Sequence, residues 1–254
     1  MIETSFLHLK GIGQKKLNLL REKGIQTWED ALLKPELLPF KSEKKNLIIN
    51  EIMESKSALD NEDIHFLSKK LHKTERWKVL DKFFNRISYF DIETDGYTNR
   101  ITLICCLHKG RVYKFLREDN LDMFLEILDD MELAVSFNGA SFDVPVILYN
   151  FHIPEFPVPH IDLRWVLYFL GIKGGLKSIE KRLEIQRPND LEGVDGFFAI
   201  ELWNRWKQFG DREALLMLER YCASDVISLF YITAKVIEIQ TGKKLELDDY
   251  WNTI

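Results

Sequence analysis

Cysteine, proline and long apolar runs are all scarce in this chain of 254 residues. Its three cysteines, two adjacent (Cys105, Cys106) and one distant (Cys222), are odd in number and unspaced, which argues against a disulfide framework or a zinc cage and fits a reducing compartment. The longest apolar run, residues 101–107, contains a Thr and falls far short of the roughly 18 residues that a membrane helix needs. The first residues, Met1-Ile2-Glu3-Thr4, lack the basic-then-apolar order of a signal peptide. Positive charge is not in excess either. With 35 Lys/Arg against 40 Asp/Glu the formal net charge is −5, which argues against a polyanion coat that works by charge alone. A soluble cytoplasmic protein without membrane association is expected.

What the chain does have is a globular balance, 46% hydrophobic and 30% charged, enough to bury a core in one or two domains. Its charge is uneven. Residues 1–85 hold 16 Lys/Arg against 13 Asp/Glu, whereas residues 86–254 hold 19 against 27. A mildly basic arm joined to an acidic body is one source of such a split, and ordinary surface variation is another.

The pattern divides the chain further. Residues 1–58 read as short helices: 14–23 carries Leu17 and Leu20 at helical spacing, Gly24 supplies a left-handed stop, and Thr27 opens the next helix. A third helix, 42–57, turns Leu47, Ile48, Ile52 and Met53 inward. Residues 59–85 read as a helical connector packed onto the domain that follows. From Ile87 the period changes to that of strands: 87–93, 101–107 and 111–116, with a turn at His108-Lys109-Gly110. A helix at 121–129, a strand at 133–137, a helix after Ser141 and a mostly helical remainder to residue 240 complete an α/β order with a mixed sheet. Residues 241–254 form a short tail, anchored by Tyr250 and Trp251.

Three spots carry chemistry. In Asp91-Ile92-Glu93, side chains two apart on a strand project to one side, and paired carboxylates repel unless a hard cation or a proton offsets them. An Asp-x-Glu at a strand end is equally consistent with plain solvation. In Asn138-Gly139-Ala140-Ser141-Phe142-Asp143, the acid stands at a strand-to-helix junction, where open α/β sheets gather their ligands, although turn and cap residues leave the same trace. In Tyr221-Cys222-Ala223-Ser224-Asp225, helical spacing aims the phenol and the carboxylate to the same place, on a helix whose inner side is otherwise apolar. A core tyrosine has this spacing as well.

Taken together and in this order, the three resemble the DEDD superfamily of ribonuclease-H-like 3′→5′ exonucleases. The match is to its tyrosine-bearing (DEDDy) branch, which includes ribonuclease D and polymerase proofreading domains. Thr94 and Gly96 fit the Asp-x-Glu-Thr-x-Gly form of the first motif, and the resemblance covers about residues 86–240. The stretches His160-Ile161-Asp162-Leu163 and 175–180, with Arg187 and a Trp203-bearing helix, are similar to the YprB-like group. The resemblance implies a ribonuclease-H-like mixed sheet flanked by helices, two Mg²⁺ or Mn²⁺ ions held by Asp91, Glu93, Asp143 and Asp225, and a water oriented by Tyr221. Asp91 would bridge both ions, Glu93 and Asp225 would complete the nucleophile side, and Asp143 would act mostly through water. Hard ions of this kind take oxygen ligands, as these four acids offer. Asp162 reads as a helix cap, and Lys177 and Arg187 as solvated surface outside the catalytic set.

The small all-α region at the start has its own signal. Leu9-Lys10-Gly11-Ile12-Gly13, then Lys15-Lys16 and Gly24-Ile25, resembles a helix-hairpin-helix motif, in which a Gly-x-Gly turn brings backbone N–H groups against a phosphate. The resemblance implies contacts from Lys10, Gly11, Gly13, Lys15 and Lys16 in the arm, with Asn138 as a further nucleic-acid contact in the body. A plain packing corner has the same local pattern. The hairpin motif favours DNA as partner, whereas the ribonuclease D resemblance favours RNA. A silent nucleic-acid-binding or scaffold protein and a structure-selective endonuclease are the alternatives.

Overall fold

The computed structural model describes residues 1–188, 191 and 196–254. Two compact units divide the chain, Met1–Phe84 and Asn85–Ile254.

The first unit is helical: α1 (Gln14–Glu22), α2 (Trp28–Leu33), α3 (Ser42–Asp60), α4 (Ile64–Lys70) and α5 (Trp77–Lys82). Gly24 ends the first helix at φ +80°. Thr27 and Asp30 form a reciprocal capping box on α2, satisfying N–H groups that would otherwise lack partners. On α3 the buried stripe is Ile48, Ile52, Ser55 and Ala58. Leu47 and Met53, expected inside, are exposed because they stand beside this stripe, about 100° of helical rotation away. The stretch expected as a connector for the second unit also differs. Here α4 contacts α3, and α5 contacts α4 and the single turn at Ile2–Thr4. Lys78, buried on α5, donates to Glu75 at 2.8 Å and to the hydroxyls of Thr4 and Ser5.

The second unit holds β1 (Ile87–Thr94), β2 (Ile101–His108), β3 (Arg111–Leu116), α6 (Phe124–Asp130), β4 (Leu133–Ser136), α7 (Asp143–Phe151), β5 (His160–Asp162), α8 (Leu163–Phe169), α9 (Leu176–Arg182), α10 (Gly196–Phe209) and α11 (Arg212–Thr241). The sheet order is β3-β2-β1-β4-β5. The first three strands are antiparallel neighbours, while β4 and β5 run parallel to β1 and to each other. This is the expected mixed sheet with flanking helices. Lys109 and Gly110 both take positive φ, as the tight turn between β2 and β3 requires. β5 was not expected: three residues are too few to show a period.

Alternation along β1 decides what faces what. Phe90 and Ile92 enter the apolar cluster with Phe124 and Leu128 of α6 and Val146 and Ile147 of α7. Tyr89, Asp91 and Glu93 therefore point to the opposite face, where Tyr89 meets Phe230 of α11 edge-on at 5.9 Å. A bulge between Glu93 and Thr94 in the pairing with β2 ends the regular ladder beside the two acids. Bulges of this kind re-aim side chains next to functional sites. Beyond α11, Tyr250 packs on Phe230 at 5.0 Å and Trp251 stacks on Tyr231 at 5.5 Å. Among the described residues no helix is long and apolar enough to cross a membrane.

Candidate active site

Three elements deliver the four acids to one place. Asp91 and Glu93 come from the carboxyl end of β1, Asp143 begins α7 beyond the carboxyl end of β4, and Asp225 lies midway along α11. Asp143 and Asp225 are 3% and 7% exposed, while Asp91 and Glu93 keep partial access to solvent. The arrangement is a cup with its floor buried.

Burial and neighbouring charge act on all four. Burial pushes the Asp91 carboxyl well above the usual range, and the charges of Asp143, Asp225 and Glu93 push it further. Glu93 is raised in the same way, by burial and then by Asp225 and Asp143, against the opposing charge of Lys177. Burial carries Asp143 up to about 7, even though its own N–H and that of Ile92 favour the charged form. Asp225 is raised by burial and held back by Arg187. Tyr221, 7% exposed, is driven upward by burial and by Asp225, Glu93 and Asp91, so its phenol stays protonated and can donate but not act as a base.

The loop before Asp143 is fixed from behind. Asp162 caps α8 through the Arg164 N–H and also accepts the N–H groups of Asn138 (2.8 Å) and Ala140 (3.2 Å). Asn138 takes φ +64° there, and its side-chain oxygen accepts from Arg164. A Cβ at Gly139 would collide with Ser136, whose hydroxyl is bound to His160 at 2.8 Å. The cap expected at Asp162 is therefore present, with a second duty.

Two cations read as solvated surface lie at the site instead. Lys177 sits 5.0 Å from the centre of the Tyr221 ring. Arg187 pairs with Glu180 through Nε at 2.9 and 3.0 Å, donates to Ser224 Oγ at 2.9 Å and approaches Asp225 Oδ1 to 2.5 Å. No local spacing announces these contacts, since each is made across elements. Cys222 was likewise passed over: its buried thiol lies 3.8 Å from Asp91 Oδ2 and, with Asp91 and Glu93, offers donor atoms within 4.8 Å of one another. Burial and the neighbouring Cys105 and carboxylates keep that thiol protonated, so it brings no thiolate.

The donor set suits hard divalent ions. It is made of carboxylate oxygens, one of which, Asp225 Oδ1, is paired with the Arg187 guanidinium at 2.5 Å.

The arm residues lie in the first unit. Gly11 turns at φ +85°, where a Cβ would strike Lys44. The Lys10 N–H donates to Glu51 at 2.8 Å, and Lys16 Nζ donates to the Gly11 carbonyl at 3.0 Å while lying 4.7 Å over Phe40. Lys15 is exposed, and Gly13 caps α1. Before this hairpin stand only a 3-10 turn at Ile2–Thr4 and further turns, so the first helix of the expected pair is missing.

A mixed sheet in this order, with acids at the ends of its parallel strands and on the long helix across its face, defines the ribonuclease-H-like class. The chain belongs to the RNase_H superfamily, whose family description matches residues 88–237. Among solved structures it is similar to the family B DNA polymerase from the hyperthermophilic archaeon Pyrobaculum calidifontis, at 17% identity and a TM-score of 0.48. That similarity covers 59% of this chain and 24% of the polymerase, so the chain spans about a quarter of its length. Among curated proteins no match is found.

Proposed function

We propose that this protein is a metal-dependent 3′→5′ exonuclease of the tyrosine-bearing DEDD type, akin to the YprB-like group, acting on nucleic acid in the cytoplasm with DNA favoured. The observation that carries the reading is the gathering of four carboxylates from three elements, in which Asp143 and Asp225 raise the carboxyls of both Asp91 and Glu93. Asp91, Glu93, Asp143 and Asp225 would hold Mg²⁺ or Mn²⁺. When bound, two such ions supply an activated water and charge to offset the leaving oxygen of a phosphodiester. Tyr221, kept protonated, orients the attacking water by hydrogen bond. Lys177 contributes positive charge at the rim, where the scissile phosphate arrives. The first unit serves as an accessory nucleic-acid-binding module through Lys10, Gly11, Gly13, Lys15 and Lys16, with Lys16 exchanging its carbonyl partner for a phosphate.

The Arg187–Asp225 contact favours a second reading, a binding protein on a nuclease fold with one acid neutralised. Digestion of end-labelled single-stranded, duplex and tailed DNA and RNA, with Mg²⁺, Mn²⁺ or EDTA, separates the two. The exonuclease shortens labelled strands from the 3′ end only with a divalent ion, and Asp91→Ala or Asp225→Ala abolishes this while the fold remains. Wild-type rates in both variants would remove the assignment. Release of internal fragments from circles would indicate an endonuclease.

A further inference from the structure

Beside the acidic cup, α8 carries aromatic surface that its own core does not use. Val166 and Leu167 are buried, whereas Trp165 and Tyr168 are 48% and 44% exposed. The two rings meet edge-on, 5.6 Å apart, and Lys173 lies 4.7 Å over the Tyr168 ring. Tyr168 thus braces Trp165 on one side and carries a cation on the other. A buttressed, half-exposed indole is a flat face held ready for another ring.

Residues 163–178 carry charge of one sign only, on Arg164, Lys173 and Lys177. Arg164 and Lys173 are exposed, and Lys177 is partly so. Among the described residues no carboxylate forms an ion pair with any of the three. Each end of this surface leads into the site already described. Arg164 donates to Asn138 in the loop that delivers Asp143, and Lys177 stands over Tyr221. Lys173 and Lys177 stand four positions apart, so their backbones lie within about 14 Å of each other. Cations in series beside an exposed aromatic face complement a flexible chain of phosphates and bases. A base already stacked in a duplex offers no such free face, which points to an unpaired strand.

We propose that α8 and the segment behind it form a loading surface for an unpaired nucleic-acid strand: a base stacks on Trp165, braced by Tyr168, while Arg164, Lys173 and Lys177 take successive phosphates leading to the acidic cup. The inference rests on the nuclease reading for its purpose, but the binding it describes stands without catalysis.

The test is fluorescence anisotropy of a labelled twelve-residue oligothymidylate on the full chain in EDTA, with a blunt duplex and polyglutamate as comparators. Trp165→Ala lowers single-strand affinity at least about fivefold with the salt dependence unchanged. Trp165→Phe keeps most of the affinity, and melting curves show that both variants are folded. Lys173→Gln reduces the slope of log affinity against log salt by about 0.7. Hydrolysis of bis(p-nitrophenyl) phosphate with Mn²⁺, a diester with no further nucleotides to occupy the loading surface, proceeds at the wild-type rate in all three variants. Equal affinity in Trp165→Ala and wild type overturns the proposal, as does tighter binding of the blunt duplex. Polyglutamate competing as well as the oligonucleotide would reassign the surface to an acidic polypeptide. A wild-type protein that hydrolyses no diester but binds the oligonucleotide through Trp165 defeats the nuclease reading and leaves the loading surface standing.

Discussion

The guanidinium of Arg187 joins Asp225, at the heart of the acid cluster, to Glu180 on another helix. Glu180 is only 4% exposed, and Arg187 alone provides its charge partner among the described ion pairs. Removing the arginine strands a buried carboxylate, and breaking a buried pair in this way typically costs about 3–5 kcal/mol. Arg187→Ala is therefore expected to lower the unfolding free energy obtained from urea titration by that amount, whereas Arg187→Met combined with Glu180→Leu recovers most of the loss. A single variant within about 0.5 kcal/mol of wild type contradicts the role, because changes that small are what surface positions show.

The raised carboxyls make stability depend on pH in a definite sense. Asp143 titrates near about 7 in the folded chain against an ordinary 3.8, so the folded state holds the proton more tightly. Its stabilising contribution is complete below 3.8 and is lost as pH rises through about 7. Without divalent ions the melting temperature should fall across that window. Mn²⁺, which needs the ionised acids, should raise it more at pH 8 than at pH 5. Asp143→Asn removes this acid's share of the pH dependence and stabilises the metal-free protein at pH 8, by about 4 kcal/mol at most, while abolishing hydrolysis. Calorimetric scans at the two pH values, with and without Mn²⁺, check all three outcomes.

Gly139 is where the loop has no room. A side chain there collides with Ser136 and crowds Asp143, so Gly139→Ala moves the acid while adding only a methyl group. Displacement by about 1 Å can cost on the order of 100-fold in rate. A loss of that size in kcat, with the strands intact by circular dichroism, is expected. An unaffected rate means that the loop does not set the position of Asp143.

How much of this was legible in the chain depends on whether the signal is local. The strand period of 87–93 put Asp91 and Glu93 on one side, and the structure has them opposite Phe90 and Ile92 as alternation requires. The i, i+4 spacing of Tyr221 and Asp225 on α11 needed only helical geometry. Arg187 and Lys177 were misread because a lone cation in a sequence carries no sign of what lies across from it. The third helix shows the same limit: apolar residues at 47 and 53 fit a helix, but only packing decides that 48 and 52 face inward. The missing first helix before Gly11 is a further case, since a glycine hairpin looks alike whatever precedes it.

Tyr221 offers the sharpest separation of chemistry from scaffold. Its ring lies under Lys177 and its hydroxyl among carboxylates that keep it protonated. Tyr221→Phe retains the ring and the cation contact and deletes only the donor. If that hydroxyl orients the attacking water, kcat falls by about 10²-fold or more while Mn²⁺ affinity, measured by titration calorimetry, stays within twofold of wild type, taking about 10² as the usual lower bound for a positioned proton donor. The pH profile should not lose a basic limb, because a phenol pushed above its ordinary 10 does not titrate in the working range. A variant with undiminished kcat would assign the tyrosine to packing against Lys177, and one with weakened Mn²⁺ binding would show that its hydroxyl helps hold the ions.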